Sequence, residues 1–296
     1  LQIFEGETLG LVGESGCGKS TLGRTIVRLY KPDAGDIYFD GINLAQLSQR
    51  ALRPYRKNLQ MIFQDPYSSL NPRMTVRDTL AEAARFHRVA ASAGIDKKVM
   101  EVMDLVGLTP DAADRLPSEF SGGQRQRIGI ARAVILDPRI IIADEPVSAL
   151  DVSIQAQVIN LLADLQKRLA LTMLFISHDL RVVRYITRRV AVMYLGRIIE
   201  LSPTEELFVR PFHPYTDGLL RAEPGLNPRI RNREVVIQGE TPSPIQLPSG
   251  CRFHPRCPFR QDRCVREEPA LRELEPFRMA ACHYPLRAAN RIVEPV

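Results

Sequence analysis

No apolar run in the 296 residues approaches the roughly 18–20 residues that cross a bilayer as a helix. The longest, at residues 140–143 and 173–176, are strand-sized. No secretory signal is legible at Leu1. If the chain works at a membrane, other chains must supply the spans. Cysteine is scarce as well. Of five, Cys17 stands alone and Cys251, Cys257, Cys264 and Cys282 cluster late in the chain. So few cannot staple a chain of this length with disulfides, and the odd count points to a reducing compartment. Dense Lys/Arg blocks are missing too, so the net charge of +6 reads as an ordinary basic surface. There is no internal repeat and no low-complexity tract. What is present, 45% hydrophobic and 25% charged residues, is globular in character. The length suits one large domain or two modest ones.

Up to about residue 202 strand-like and helix-like stretches alternate. Residues 9–12 are apolar and end in a Gly-rich turn, and residues 20–29 read as a helix. Residues 153–169 carry Ile154, Val158, Leu161, Leu162, Leu165 and Leu169 at helical spacing. Residues 190–194 and 198–201, either side of Gly196, read as a hairpin. This alternation predicts an α/β fold with a mainly parallel sheet covered by helices. Residues 74–136 are almost wholly helical in pattern and read as an inserted subdomain. Fourteen of the 22 prolines fall from Pro203 onward. Proline removes backbone donors, so residues 203–296 read as a separate, loop-rich C-terminal extension.

Gly13-Glu14-Ser15-Gly16-Cys17-Gly18-Lys19-Ser20 fits G-x-x-x-x-G-K-[ST] at each fixed position, between a predicted strand and helix. Glycines let backbone N–H groups curl around phosphate oxygens, and the helix adds its positive end. Lys19 is placed for the β- and γ-phosphates of ATP and Ser20, with Thr21 beside it, for Mg²⁺. Cys17 occupies a variable position and reads as a small packed residue, not a nucleophile. Downstream, the apolar run at 140–143 ends in Asp144 and Glu145. Asp144 is placed to coordinate Mg²⁺ and Glu145 to polarise an attacking water. These two features define a P-loop NTPase and no more, since kinases, GTPases and helicases share them.

Ser121-Gly122-Gly123-Gln124, opening a helix before the acid-pair strand, makes a second anion site, yet the chain holds no second cradle. The segment resembles the signature sequence of ABC ATPases. That resemblance implies that Ser121 and Gly123 contact the ATP of a partner subunit, two subunits enclosing two nucleotides head to tail. Gln64, in Met61-Ile62-Phe63-Gln64-Asp65-Pro66, resembles the family's glutamine loop, whose amide reaches Mg²⁺ and the attacking water. Ser148-Ala149-Leu150-Asp151 resembles the loop that bridges the two nucleotide sites, and His178, in Ser177-His178-Asp179, the switch histidine at the γ-phosphate. The family's adenine-stacking aromatic has no counterpart here. Only twelve residues precede Gly13 and Phe4 is too close, so the start reads as truncated.

The segments 63–73, 152–157 and His213-Pro214-Tyr215-Thr216, with Pro242-Ser243-Pro244 and Pro248-Ser249-Gly250-Cys251, resemble the dipeptide and oligopeptide importers, and in detail the second ("F"-type) ATPase of such permeases. The branch also includes nickel and glutathione importers. The resemblance implies a second ABC ATPase subunit, two transmembrane permease subunits, an extracytoplasmic substrate-binding protein, no nucleic acid, and a place on the cytoplasmic face of the inner membrane. Soluble ABC ATPases acting on DNA or ribosomes are the alternative, but they need long coiled coils or two cassettes in one chain, which this sequence lacks. A redox-sensing metal module with a secondary ATPase is a third reading. The four late cysteines are separated by 5, 6 and 17 residues, none of them a zinc-knuckle spacing. Four thiolates can hold zinc or an iron–sulfur cluster, or simply pack. The resemblance favours a 4Fe-4S cluster as a structural staple, with His254 and His283 as bystanders.

Overall fold

The computed structural model describes residues 1–222, 237, 239–243 and 245–286, with Pro66 and Ser68 described as backbone only. Pro244 of the sequence reading lies outside them. The chain forms two compact units: Leu1–Thr8 with Ser20–Ile176, and Leu9–Lys19 with Ser177–Val296.

In chain order, β1 (Thr8–Val12) leads through the Gly-rich turn into α1 (Lys19–Ile26). A ribbon of β2 (Tyr38–Phe39) and β3 (Ile42–Asn43) precedes α2 (Gln49–Leu52), β4 (Leu59–Ile62) and α3 (Pro66–Ser69). Next come α4 (Val76–His87), α5 (Ile95–Leu105) and α6 (Gly122–Val134), then β5 (Ile140–Asp144), α7 (Val152–Leu169) and β6 (Thr172–Ile176). The remainder is α8 (Leu180–Ile186), β7 (Arg189–Tyr194), β8 (Arg197–Pro203), α9 (Thr204–Val209), α10 (Pro214–Ala222), α11 (Asp262–Arg266), β9 (Arg272–Glu275) and β10 (Arg278–Ala280).

In the first unit β4, β5 and β6 run parallel, with Met61 opposite Ile142 and Ile142 opposite Leu174. Ile141, Ile142 and Ala143 are fully buried, the continuous apolar run expected of a strand covered on both faces. The register brings Asp144 to the carboxyl end of β5, opposite Ile176. From Val76 to Val134 every element is an α-helix or a short 3₁₀ turn, and α4, α5 and α6 pack on one another. Helix α7 buries Val158, Ile159, Leu162 and Leu165. Leu169, predicted on that face, is instead 41% exposed, because the helix stops there and Ala170 turns left-handed.

In the second unit β1 pairs parallel with β7, and β7 and β8 form the predicted hairpin. Its turn is Leu195-Gly196, both with positive φ, the two-residue geometry that matches strand twist. Residue 202 falls within β8, and β8 pairs antiparallel with β10, which pairs with β9. The segment expected to be loop-rich therefore supplies two strands to this sheet.

Candidate functional site

The loop predicted to cradle phosphate, from Gly13 to Lys19, belongs to the second unit. Gly13, at φ +151°, is where β1 breaks. A Cβ there would lie 2.1 Å from the Met193 carbonyl oxygen, so only glycine fits. Lys19 is buried, and its Nζ donates to the carbonyls of Gly13 at 2.8 Å and Glu14 at 3.0 Å. Those two contacts hold the ammonium at the mouth of the loop. Ser15 and Gly16 are exposed at its crest. Cys17 is buried, and burial pushes its thiol pKa up, which suits the packed, inert residue read from sequence. The Gly196 N–H donates to the Cys17 carbonyl at 2.8 Å and fixes the far side of the loop.

His178 is exposed on the turn after β6. Its neighbours build that turn. The Ser177 N–H donates to the Leu11 carbonyl, the Asp179 N–H to Ser177 Oγ, and the Asp179 carboxylate caps α8 through the Arg181 and Val182 N–H groups.

The remaining residues predicted for the nucleotide site lie in the first unit. Ser20 Oγ donates to Asp144 Oδ1 at 2.7 Å, and Asp144 is 1% exposed. A hydroxyl and a buried carboxylate at this spacing, one residue past Lys19, are the hard oxygen donors that Mg²⁺ takes. Thr21 follows on the exposed side of α1. Gln64 Nε2 donates to Glu145 Oε2 at 3.0 Å, so the glutamine loop meets the acid pair at Glu145. Glu145 has φ +46°, a left-handed backbone uncommon outside glycine. Its N–H donates to the Ile176 carbonyl, so β6 holds this strained residue in place.

Ser121 caps α6. Its Oγ accepts the Gln124 N–H, and Gln124 Oε1 accepts the Ser121 N–H, a reciprocal capping box. Gln124 thus closes the helix start, while Ser121 and Gly122 are exposed there. Gly123 is buried, and a Cβ on it would lie 2.3 Å from Ile154 Cγ2 on α7. Asp151 is exposed at the start of α7, on a turn tied by Gln155 Nε2 to the Leu150 carbonyl.

Cys251, Cys257, Cys264 and Cys282 line one small cavity in the second unit. Burial raises the Cys251, Cys257 and Cys282 thiols, Cys257 to about 12. His254 Nδ1 bonds the Cys251 carbonyl and His283 Nε2 the Glu267 carbonyl, so both rings are engaged by backbone. The predicted metal site is not formed here: among the described residues, no three His, Cys, Asp or Glu side chains are arranged to hold a metal ion. Burial favours the protonated form of the Cys251, Cys257 and Cys282 thiols, which works against a metal, since only the thiolate is a ligand. The donor set itself, four sulfurs round one cavity, fits a cluster or zinc.

Sequence reasoning missed three contacts on Glu14. Its N–H donates to Tyr215 Oη at 2.9 Å, and its carboxylate meets Arg256 and Thr241. The His-Pro-Tyr-Thr segment was visible as a motif; nothing in the pattern singled out Arg256 or Thr241.

Known proteins match both parts of the chain. Residues 1–148 match the family model described as ABC transporter, and residues 199–264 the one described as oligopeptide/dipeptide transporter, C-terminal region. The oligopeptide transport ATP-binding protein AppF of Bacillus subtilis is 54% identical over 95% of this chain and 86% of its own length. A probable peptide ABC transporter ATP-binding protein of Sinorhizobium fredii, y4tS, is 51% identical over 99% of this chain and 83% of its own. Among solved structures, the dimeric post-hydrolysis state of the ATP-binding cassette MJ0796, bound to ADP and Pi, superposes with TM-score 0.63 and 31% identity. It covers 69% of this chain and 88% of its own. CbiO1 of Clostridium perfringens, part of the transporter complex cbiONQ, gives 0.64 and 29%, over 70% and 81%. The chain belongs to the ABC transporter ATPases, in the branch that carries the oligopeptide/dipeptide transporter C-terminal region.

Proposed function

We propose that this ATPase powers the import of di- and oligopeptides across the cytoplasmic membrane. The observation that carries the reading is the joining, in one chain, of an ABC phosphate loop to an oligopeptide/dipeptide C-terminal region, with relatives named for peptide import over nearly its whole length. The chain works with a second ABC ATPase subunit, two permease subunits that supply the membrane spans, and a binding protein that loads them, at the cytoplasmic face. Among the described residues no helix is long and apolar enough to cross a membrane, in keeping with spans supplied by partners.

Each site residue then has a task. The loop from Gly13 to Gly18, Lys19 and the start of α1 bind the phosphates. Glu14 and Cys17 shape the loop, through the contacts described above. Ser20 and Asp144 hold Mg²⁺, with Gln64 beside it. The ion, when bound, neutralises charge on the β- and γ-phosphoryl oxygens. Glu145 accepts a proton from the attacking water, and Gln64, donating to the same carboxylate, orients it. His178 steadies the γ-phosphoryl group. Ser121 and Gly123, with Gly122 and Gln124 shaping the helix start, serve ATP bound on the partner subunit, and Asp151 bridges the two sites. The catalysis is positioning and charge stabilisation. The four late cysteines hold a 4Fe-4S cluster or zinc as a staple for the extension.

Glu145→Gln tests both halves. ATP affinity should persist, while hydrolysis falls at least about 100-fold. Uptake of a labelled dipeptide by cells dependent on this chain should stop. Native turnover in the variant overturns the role of Glu145. Uptake of nickel or glutathione that depends on this chain, with peptide uptake unaffected, overturns the cargo.

A further inference from the structure

All three hydrogen-bonding parts of Glu14 are engaged. Its carbonyl accepts from Lys19 Nζ, its N–H donates to Tyr215 Oη, and its carboxylate takes both arms of Arg256. The Arg256 fork is bidentate, with Nη1 to Oε2 at 2.8 Å and Nη2 to Oε1 at 3.1 Å, and Thr241 Oγ1 adds a third bond at 2.7 Å. The Arg256 side chain is only 8% exposed, so solvent screens the pair little. Burial by itself would raise the Glu14 carboxyl, yet the bonds from Arg256 and Thr241 hold it below its ordinary value.

The donors are themselves fixed. Tyr215 is fully buried, 4.7 Å from the Tyr194 ring and 5.5 Å from Phe253. Arg256 ends a 3₁₀ turn, His254–Arg256, bracketed by Cys251 and Cys257 and closed by the Arg256 N–H on the Phe253 carbonyl. The side of Glu14 turned from the lysine is thus gripped wholly by residues beyond 203. No principle of phosphate binding calls for an acid here, since its negative charge would repel phosphate if left unpaired. The Arg256 fork cancels that charge and fixes the residue on which Lys19 rests.

We propose that Tyr215 and Arg256 are positioning residues for ATP, acting through Glu14 on the loop carbonyls that place Lys19, so that the C-terminal extension is a working part of the nucleotide site. The contact explains the tyrosine of the His-Pro-Tyr-Thr motif, to which peptide import alone assigns no task. The proposal rests on the phosphate-binding role of the loop.

The test measures nucleotide affinity by titrating the full-length chain with a fluorescent ATP analogue, well below each variant's unfolding temperature. Arg256→Met should weaken binding about tenfold, since a bidentate fork and a charge are both lost. Arg256→Lys, which keeps the charge without the fork, should fall between. Glu14→Gln should weaken binding by a similar factor, and Glu14→Gln with Arg256→Met should add little beyond either alone. Affinity unchanged in folded Arg256→Met, or two single effects that multiply in the double variant, overturns the proposal. If Arg256→Met does not fold, Glu14→Gln and Arg256→Lys decide it: native affinity in both overturns it. Lys19→Ala separates the two levels. If that variant binds the nucleotide as the native chain does, the loop is not the phosphate site and the underlying reading fails instead.

Discussion

At the scale of single residues, the signature glycine has a packing duty as well as a proposed phosphate duty. Gly123 lets α6 approach α7 so closely that any side chain would overlap Ile154. Gly123→Ala should therefore lower unfolding stability by about 1–3 kcal/mol, the usual cost of overpacking. Combining it with Ile154→Ala should restore part of the loss by opening the space. Urea denaturation of the three variants checks this. A single variant as stable as the native chain would show that the helices part freely, and Gly123 would then owe its presence to phosphate binding alone. Glu145 carries a second duty of the same kind. Its left-handed backbone is held by Ile176, so the residue that polarises water in the proposed cycle is also strained.

At the scale of elements, β1, β5, β6, the hairpin at Gly196 and the helical run from 76 to 134 were legible because periodicity and Gly-rich turns carry them. Ser20 with Asp144 and Gln64 with Glu145, each named from a recognisable short string, lie within hydrogen-bond distance of one another. In the loop-rich extension, the two short strands β9 and β10 were not foreseen. Proline density reports lost N–H donors, but it is blind to strands as short as β9 and β10, which gain their order by pairing with β8. Nor could spacing show why His213 precedes Pro214. Its Nδ1 accepts the Tyr215 N–H and caps α10, while Glu200 on β8 accepts the N–H groups of Phe212 and His213.

Both of these side chains are fully buried, and burial shifts each toward its neutral form. His213 is pushed down to about 3 from 6.5, and Glu200 up to about 7 from 4.5. The depressed histidine gives stability that is complete above pH 6.5 and lost as pH falls toward 3. The raised carboxyl works the opposite way, its stability being complete below pH 4.5 and lost as pH rises to 7. Between 4.5 and 6.5 the two slopes oppose. His213→Asn keeps an acceptor for the cap and removes the titrating ring. Its stability should then tilt, higher at pH 5 than at pH 7 by more than about 1 kcal/mol relative to the native curve. Urea midpoints across that range measure the tilt, and parallel curves for variant and native chain would mean that His213 does not stay neutral in the fold.

At the scale of the whole molecule, the question is what holds the extension together. The second unit buries Phe253, Cys264 and Cys282, but between Cys251 and Cys282 regular structure is limited to one 3₁₀ turn, one short helix and two short strands. A segment so poor in ladder hydrogen bonds gains most from a covalent or metal staple. Four sulfurs line one cavity, and each can act as a donor once it is deprotonated. Metal binding would cost the release of protons from thiols that burial has raised, so affinity should fall as pH falls. Chain purified without oxygen should carry iron and acid-labile sulfide in equal amounts, with a visible thiolate-to-iron band. Chelation of the iron should lower the unfolding temperature of the intact protein by several degrees. Replacing the four cysteines together by serine should remove both the iron and this response. Zinc without sulfide would keep the staple and change its chemistry. A chain free of both metals, with native stability in the four-serine variant, would reduce the cysteines to packing residues and leave the pairing of β8, β10 and β9 to order the extension alone.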